Sequence, residues 1–126
     1  MAMKPEIKSQ WVEALRSGEY SQGVGSLRSP DNTFCCLGVL CDLYSKAEGV
    51  EWEAGYYGID SDPSYYSMHD RGALPPTEVA KWAGMSSLEL VGELSVPADE
   101  APVDLVSKND SGISFEEIAD MIERYL

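Results

Sequence analysis

The stretch Phe34-Cys35-Cys36-Leu37-Gly38-Val39-Leu40-Cys41-Asp42-Leu43-Tyr44 holds all three cysteines of the chain and its densest apolar run. Apolar density alone fits a buried strand as well as a buried helix. The polar exceptions decide. Gly38, Asp42 and Ser45 fall at i, i+4 and i+7, a narrow stripe along one side of a helix, whereas strand alternation would scatter them over both faces. The spacing predicts a central helix from Cys35 to Lys46, stopped by Gly49. Cys35, Cys36, Gly38, Cys41 and Asp42 are then structural residues, the cysteines filling space as small hydrophobes.

Toward the N-terminus, Ile7, Trp11, Ala14 and Leu15 lie at helical spacing between Pro5 and Ser17, with Gly18 just past the end. Ser29-Pro30-Asp31-Asn32 is turn chemistry, and it joins Ser26-Leu27-Arg28 to Thr33-Phe34-Cys35 as a hairpin. Toward the C-terminus, Glu48 to Leu74 is polar and tyrosine-rich, with two aromatic pairs bracketing a Gly58 to Pro63 turn: a short hairpin or a long ordered loop. Pro75-Pro76 opens a short helix carrying Val79, Trp82 and Ala83, capped by Gly84. Leu88-Glu89-Leu90-Val91 alternates and is assigned as a strand, followed by a loop from Pro97 to Pro102. Ser114-Phe115-Glu116-Glu117 is a capping box, and Phe115, Ile118 and Ile122 continue at helical spacing toward Tyr125 and Leu126. Glu116, Asp120 and Glu123 line the other side of that helix, either as a solvated face or as a docking face for a basic partner.

The formal net charge of −13 is unevenly placed. Residues 1–46 carry five basic and five acidic side chains, so the rest of the chain, with 4 basic and 17 acidic, carries the whole excess. Such a field repels phosphates and anionic membranes and favours basic partners; direct nucleic-acid binding is not expected. At 126 residues the expectation is a single domain spanning 1–126. No window approaches the roughly 18 apolar residues of a membrane span, and the N-terminal residues lack a secretory h-region, so the expected location is the cytoplasm. There the thiols stay reduced.

Candidate chemistry is sparse. A cysteine nucleophile at Cys35 or Cys36 needs a base, and the one histidine, His69, sits in an unrelated segment. Three cysteines and one histidine do not assemble a zinc site, and Asp60 and Asp62 lack the later ligands of a calcium loop, so no metal or other cofactor is expected. Gly23-Val24-Gly25 lacks the lysine and third glycine of a phosphate loop and reads as a turn or bulge. Trp52, Tyr56, Tyr57, Tyr65 and Tyr66, with Arg71, are either a binding surface or rings tucked onto the core. Asp42, buried late in a helix, requires a cation or several donors, for which Arg28 and Lys46 are the nearest candidates.

The pattern of Trp11-Val12-Glu13-Ala14-Leu15-Arg16-Ser17-Gly18-Glu19-Tyr20, Phe34-Cys35-Cys36-Leu37-Gly38-Val39-Leu40-Cys41-Asp42, Leu74-Pro75-Pro76 with Trp82-Ala83-Gly84, and Asn109-Asp110-Ser111-Gly112 with Phe115 and Glu117-Ile118-Ala119 resembles a family of small proteins of bacteriophage and prophage genomes. The resemblance implies a setting, the cytoplasm of a host cell, and no mechanism.

The expected fold is a small α+β domain, with four or so helices around the cysteine-bearing one and a short antiparallel sheet or hairpins. The expected function is that of a non-enzymatic, phage-type accessory binding protein, an acidic inhibitor of a host or defence protein. The candidate surface is Trp52, Tyr56, Tyr57, Tyr65, Tyr66, Arg71, Glu116, Asp120 and Glu123. The alternatives are a protein that sequesters a nucleotide signal or another small-molecule ligand, and a thiol-dependent enzyme.

Overall fold

A computed structural model of the chain describes residues 3–24, 26–55, 65–67, 75–90, 92–94, 100 and 103–126. In chain order the elements are α1 (Pro5–Arg16), β1 (Ser21–Gln22), β2 (Thr33–Phe34), α2 (Cys36–Glu48), β3 (Glu53–Gly55), β4 (Tyr65–Ser67), α3 (Thr77–Ala83), α4 (Ser87–Leu90), β5 (Glu93–Leu94), β6 (Val103–Asp104), α5 (Leu105–Asp110) and α6 (Phe115–Tyr125). Helices dominate, and the strands pair in three two-stranded ribbons, which makes the fold α+β.

The run that opens the sequence forms α2. Cys35 is its N-cap, its Sγ accepting from the Gly38 N–H at 3.4 Å, and Gly49 ends it in the left-handed region at φ +68°. A sulfur is a weak acceptor, so this cap is reinforced from elsewhere in the chain, as described below. The stripe of Gly38, Asp42 and Ser45 is the side on which other chain segments lie. Leu27, fully buried, sets its carbonyl oxygen against Gly38 so closely that a Cβ there would overlap it. Asp42 collects side-chain donors, and the Ser45 hydroxyl donates to the Val50 carbonyl. The rest of the cylinder is apolar and buried, from Cys36 and Leu37 through Leu40 and Cys41 to Tyr44.

The segment before α2 runs close to the predicted hairpin. Asn32 takes φ +64° in the turn, Ser29 N–H donates to the Thr33 carbonyl at 2.8 Å, and Arg28 bridges Phe34 in antiparallel sense. Strand β2 also pairs with β1, in parallel, Gln22 opposite Phe34. Farther along, β3 and β4 pair antiparallel with Glu53 opposite Ser67 and Gly55 opposite Tyr65; the Gly58 to Pro63 turn expected between them lies outside the described residues.

Two short helices, α4 and α5, join the four that the local pattern predicts, so five surround or follow α2 among the described residues. Residues 88–90, expected as a strand, belong to α4. The cause is a reciprocal cap: Ser86 Oγ accepts from Glu89 N–H at 3.2 Å, while the Glu89 carboxylate accepts from Ser86 N–H at 2.8 Å. The strand comes later, at β5, which pairs with β6. Helix α5 starts at Asp104, whose carboxylate accepts from Val106 and Ser107 N–H.

The core is one cluster. Helix α1 contributes Ile7, Trp11, Val12 and Leu15, and α6 contributes Phe115, Ile118, Ala119 and Ile122; these two faces form the most extensive helix pair of the fold. Helix α2 packs on α1, α3 and α5, and the Trp11 indole donates to the Cys36 carbonyl at 2.9 Å. Each fully buried Leu or Ile side chain contributes about 1.5–3 kcal/mol through lost apolar exposure. Among the described residues no helix is long and apolar enough to cross a membrane.

Candidate functional site

Because Phe115, Ile118, Ala119 and Ile122 are turned into the core, helical periodicity places Glu116, Glu117, Asp120 and Glu123 outside, and all four are exposed. Ser114 caps the helix through the Glu117 N–H, and Glu116 and Glu117 sit where the helix N-terminus favours negative charge. The resulting ridge carries one internal clasp. Arg16, from the last turn of α1, places Nη2 2.5 Å from Asp120 Oδ1 and Nη1 2.8 Å from Glu123 Oε1. Hydrogen bonds from Arg16 hold the Glu123 carboxyl below its ordinary range, and the same bonds raise the guanidinium further. Two of the three carboxylates expected as a docking face are therefore already engaged within the chain. Glu116 and Glu117 have no ion-pair partner among the described residues.

Grooves flank the ridge on both sides. One, about 560 Å³, runs between α1 and α6 past Lys8, Glu13, Arg16 and Glu123. The other, about 460 Å³, lies between α5 and α6, with Glu117 and Asp120 on its wall and Val103 and Met121 as apolar lining. Arg124 and Tyr125 close one end by holding the Glu100 carboxylate at 2.7 and 3.1 Å.

The aromatic candidates divide. Trp52 is half-buried and its indole donates to Asp42 at 3.0 Å, so it supports the core. Tyr66 is stacked under Arg28, whose guanidinium carbon is 4.2 Å from the ring centre, with Phe34 and Trp52 at 5.6 and 5.8 Å. For Tyr65 only the backbone is described, in β4. Tyr56, Tyr57 and Arg71 lie outside the described residues, as do His69, Asp60 and Asp62.

Asp42, 9% exposed, receives Tyr20 Oη at 2.6 Å, Trp52 Nε1 at 3.0 Å and the Lys46 ammonium at 3.2 Å. Burial alone would raise its pKa, but these donors outweigh it and hold the carboxyl below the ordinary value. Burial and the Asp42 contact push the Tyr20 phenol up to about 12. The cation is Lys46; Arg28, the other expected candidate, is committed to Tyr66 and to Asn32 Oδ1 at 2.7 Å.

The cysteines are free thiols, all buried, and burial raises each one's pKa. Cys35 has the helix N-terminus but spends its sulfur as a cap. Gly23, the described glycine of the Gly23-Val24-Gly25 run, turns its N–H to the Phe34 carbonyl at 2.7 Å and its own carbonyl to Asn109 Nδ2 at 2.8 Å. The Gly23 N–H and carbonyl are thus both engaged within the chain. Among the described residues no three metal-ligating side chains converge.

Asn109 is the residue that local pattern reading missed. Fully buried, it accepts from the Cys36 N–H at 3.2 Å and from Gln22 Nε2 at 3.0 Å, so it reinforces the weak sulfur cap of α2 and ties it to β1. It stood in the quoted Asn109-Asp110-Ser111-Gly112 string, whose polar composition gives no sign that the amide is buried.

One family description, that of a domain of unknown function (DUF8296), matches residues 3–126. No curated protein and no solved structure matches the chain.

Proposed function

The chain belongs to the DUF8296 family, whose description carries no activity, and we propose from its own surface that it is a non-catalytic accessory protein binding a basic protein partner. One observation carries the reading. Glu116, Glu117, Asp120 and Glu123 project together from a well-buried helix, at the end of a chain whose residues 47–126 hold 17 acidic against 4 basic side chains. A rigid acidic ridge of this kind steers a cationic surface toward it and excludes like-charged competitors. The resemblance to bacteriophage and prophage proteins supplies a setting. There the partner is a host or defence protein whose basic, nucleic-acid-binding face the ridge covers.

The buried thiols with raised pKa values weigh against thiol catalysis, and the engaged backbone of Gly23 weighs against a phosphate site. The test is capture from bacterial lysate by the immobilised chain, at low and high salt. A basic protein should be retained at low salt and released at high salt, and the triple variant Glu116→Gln, Asp120→Asn, Glu123→Gln should lose it while remaining folded by circular dichroism. Recovery of no protein, or equal recovery by the triple variant, sinks the reading.

A further inference from the structure

We propose that the ribbon of β3 and β4 is a strap that opens as a unit on a fixed hinge at Trp52, with Arg28 as the latch that holds it closed against the turn before α2. The device stands apart from the acidic ridge and does not depend on what the ridge binds.

The hinge is built into the end of α2. Gly49 stops the helix in the left-handed region, and the next residue is held twice by Ser45: the Val50 N–H donates to the Ser45 carbonyl at 3.2 Å, and the Val50 carbonyl accepts from the Ser45 hydroxyl. Two residues on, Trp52 packs against the core, its ring edge-on to Phe34 at 6.3 Å, and its indole donates to Asp42 at 3.0 Å. A hydrogen bond to a carboxylate is among the stronger ones. The chain is thus fixed as far as Trp52, immediately before β3 begins.

Beyond that point little holds it. Among the described residues β3 and β4 pair extensively with each other, neither packs extensively on a helix or on another ribbon, and Glu53 and Ala54 are exposed. A lone two-stranded ribbon is marginal in water. Arg28 supplies what is missing. Its guanidinium carbon lies 4.2 Å from the centre of the Tyr66 ring, on β4, the strand that does not continue from the hinge. The guanidinium is aimed from within its own turn: Asn32 Oδ1 accepts from Nε at 3.2 Å and from Nη2 at 2.7 Å, and Asn32 sits at φ +64°, a conformation that asparagine tolerates. A guanidinium bonded along its edge keeps its face for a ring. With a hydrogen-bonded hinge before β3 and a stacked latch on β4, opening is local. Breaking the contact between Arg28 and Tyr66 releases the ribbon while Trp52 stays on Asp42, and a segment with so few buried contacts opens at a small fraction of the cost of global unfolding.

Hydrogen-exchange mass spectrometry on the full chain tests the device. The amides of residues 53–55 and 65–67 that bond across the ribbon should exchange together, and faster than the bonded amides of α1, α2 and α6. Arg28→Gln should speed them about two- to fivefold, as for loss of a cation–π contact at an exposed site, with α1 and α6 unchanged. Tyr66→Leu, which keeps apolar bulk without an aromatic face, should do the same. Ribbon protection equal to that of α2, no change on Arg28→Gln, or a rise that reaches α1 and α6 equally overturns the strap.

Discussion

Asn109 Oδ1 lies 3.2 Å from the backbone nitrogen of Cys36, 73 positions away in the chain. The contact lets α5 cap α2 from outside, at the point where Cys35 offers only sulfur. The same amide donates to the Gly23 carbonyl at 2.8 Å, so one fully buried side chain joins three segments. Asn109→Ala leaves the Cys36 N–H and the Gly23 carbonyl without this partner. A destabilisation of about 2–6 kcal/mol is expected, since each of the two buried groups left unsatisfied costs about 1–3 kcal/mol. Urea unfolding monitored by tryptophan fluorescence measures it; a midpoint unchanged from wild type refutes the role.

Gly38 is a packing requirement. Its φ is ordinary for a helix, so alanine would help the helix by about 1 kcal/mol if nothing lay opposite. The Leu27 carbonyl does lie opposite, and it also accepts the Cys35 N–H at 3.3 Å. Because the obstacle is backbone, Gly38→Ala should lose at least about 2 kcal/mol net, at the upper end of overpacking costs. A thermal melt at or above the wild-type temperature would contradict the crossing.

Asp42→Asn keeps one acceptor oxygen where Tyr20 and Trp52 use two, and loses the charge that Lys46 meets. The expected cost at neutral pH is about 1–3 kcal/mol. Its pH dependence has a definite sign. The folded pKa lies below the ordinary carboxylate value near 3.9, so the carboxylate's contribution is present above that value and lost as pH falls through the lower, folded one. The difference between the two melts should narrow as the pH is taken from 7 to below the ordinary carboxylate value. A gap of constant size would mean that Asp42 is not held as an anion.

Cys35, Cys36 and Cys41 should resist iodoacetamide in the folded protein at pH 8 and react once urea is added. Burial raises their pKa values and removes access together. Mass spectrometry counts the adducts. Rapid native alkylation at Cys35, the most accessible at 7% exposure, would revive a thiol chemistry.

Local chemistry made α1, α2, α3 and α6 legible. Pro5, the Gly49 and Gly84 stops and the Ser114 box are contiguous with the helices they bound, so the sequence displays both cause and effect. Helix α4 was hidden because the alternation of Leu88 to Val91 suggested a strand, although the deciding pair, Ser86 and Glu89, spans only one turn. Helix α5 has six residues, too few for periodicity to register. The candidate site was legible as a charge pattern on α6. That Arg16 had already taken two of its carboxylates was not, because a contact between residues 104 positions apart depends on how α1 and α6 cross. Trp52 likewise fits both a binding surface and a ring tucked onto the core until Asp42 gives it a partner.

The crossing of α1 with α6 also governs when the protein can become itself during synthesis. The face of α1 bearing Trp11 and Leu15 meets α2 early, but its larger cover, residues 115–125, is made roughly a hundred positions after it, several seconds at ordinary translation rates of about 5–20 residues per second. Through that interval the nascent chain carries an apolar helix covered on its α2 side alone, and chaperones or premature partners have a window that closes only when α6 emerges.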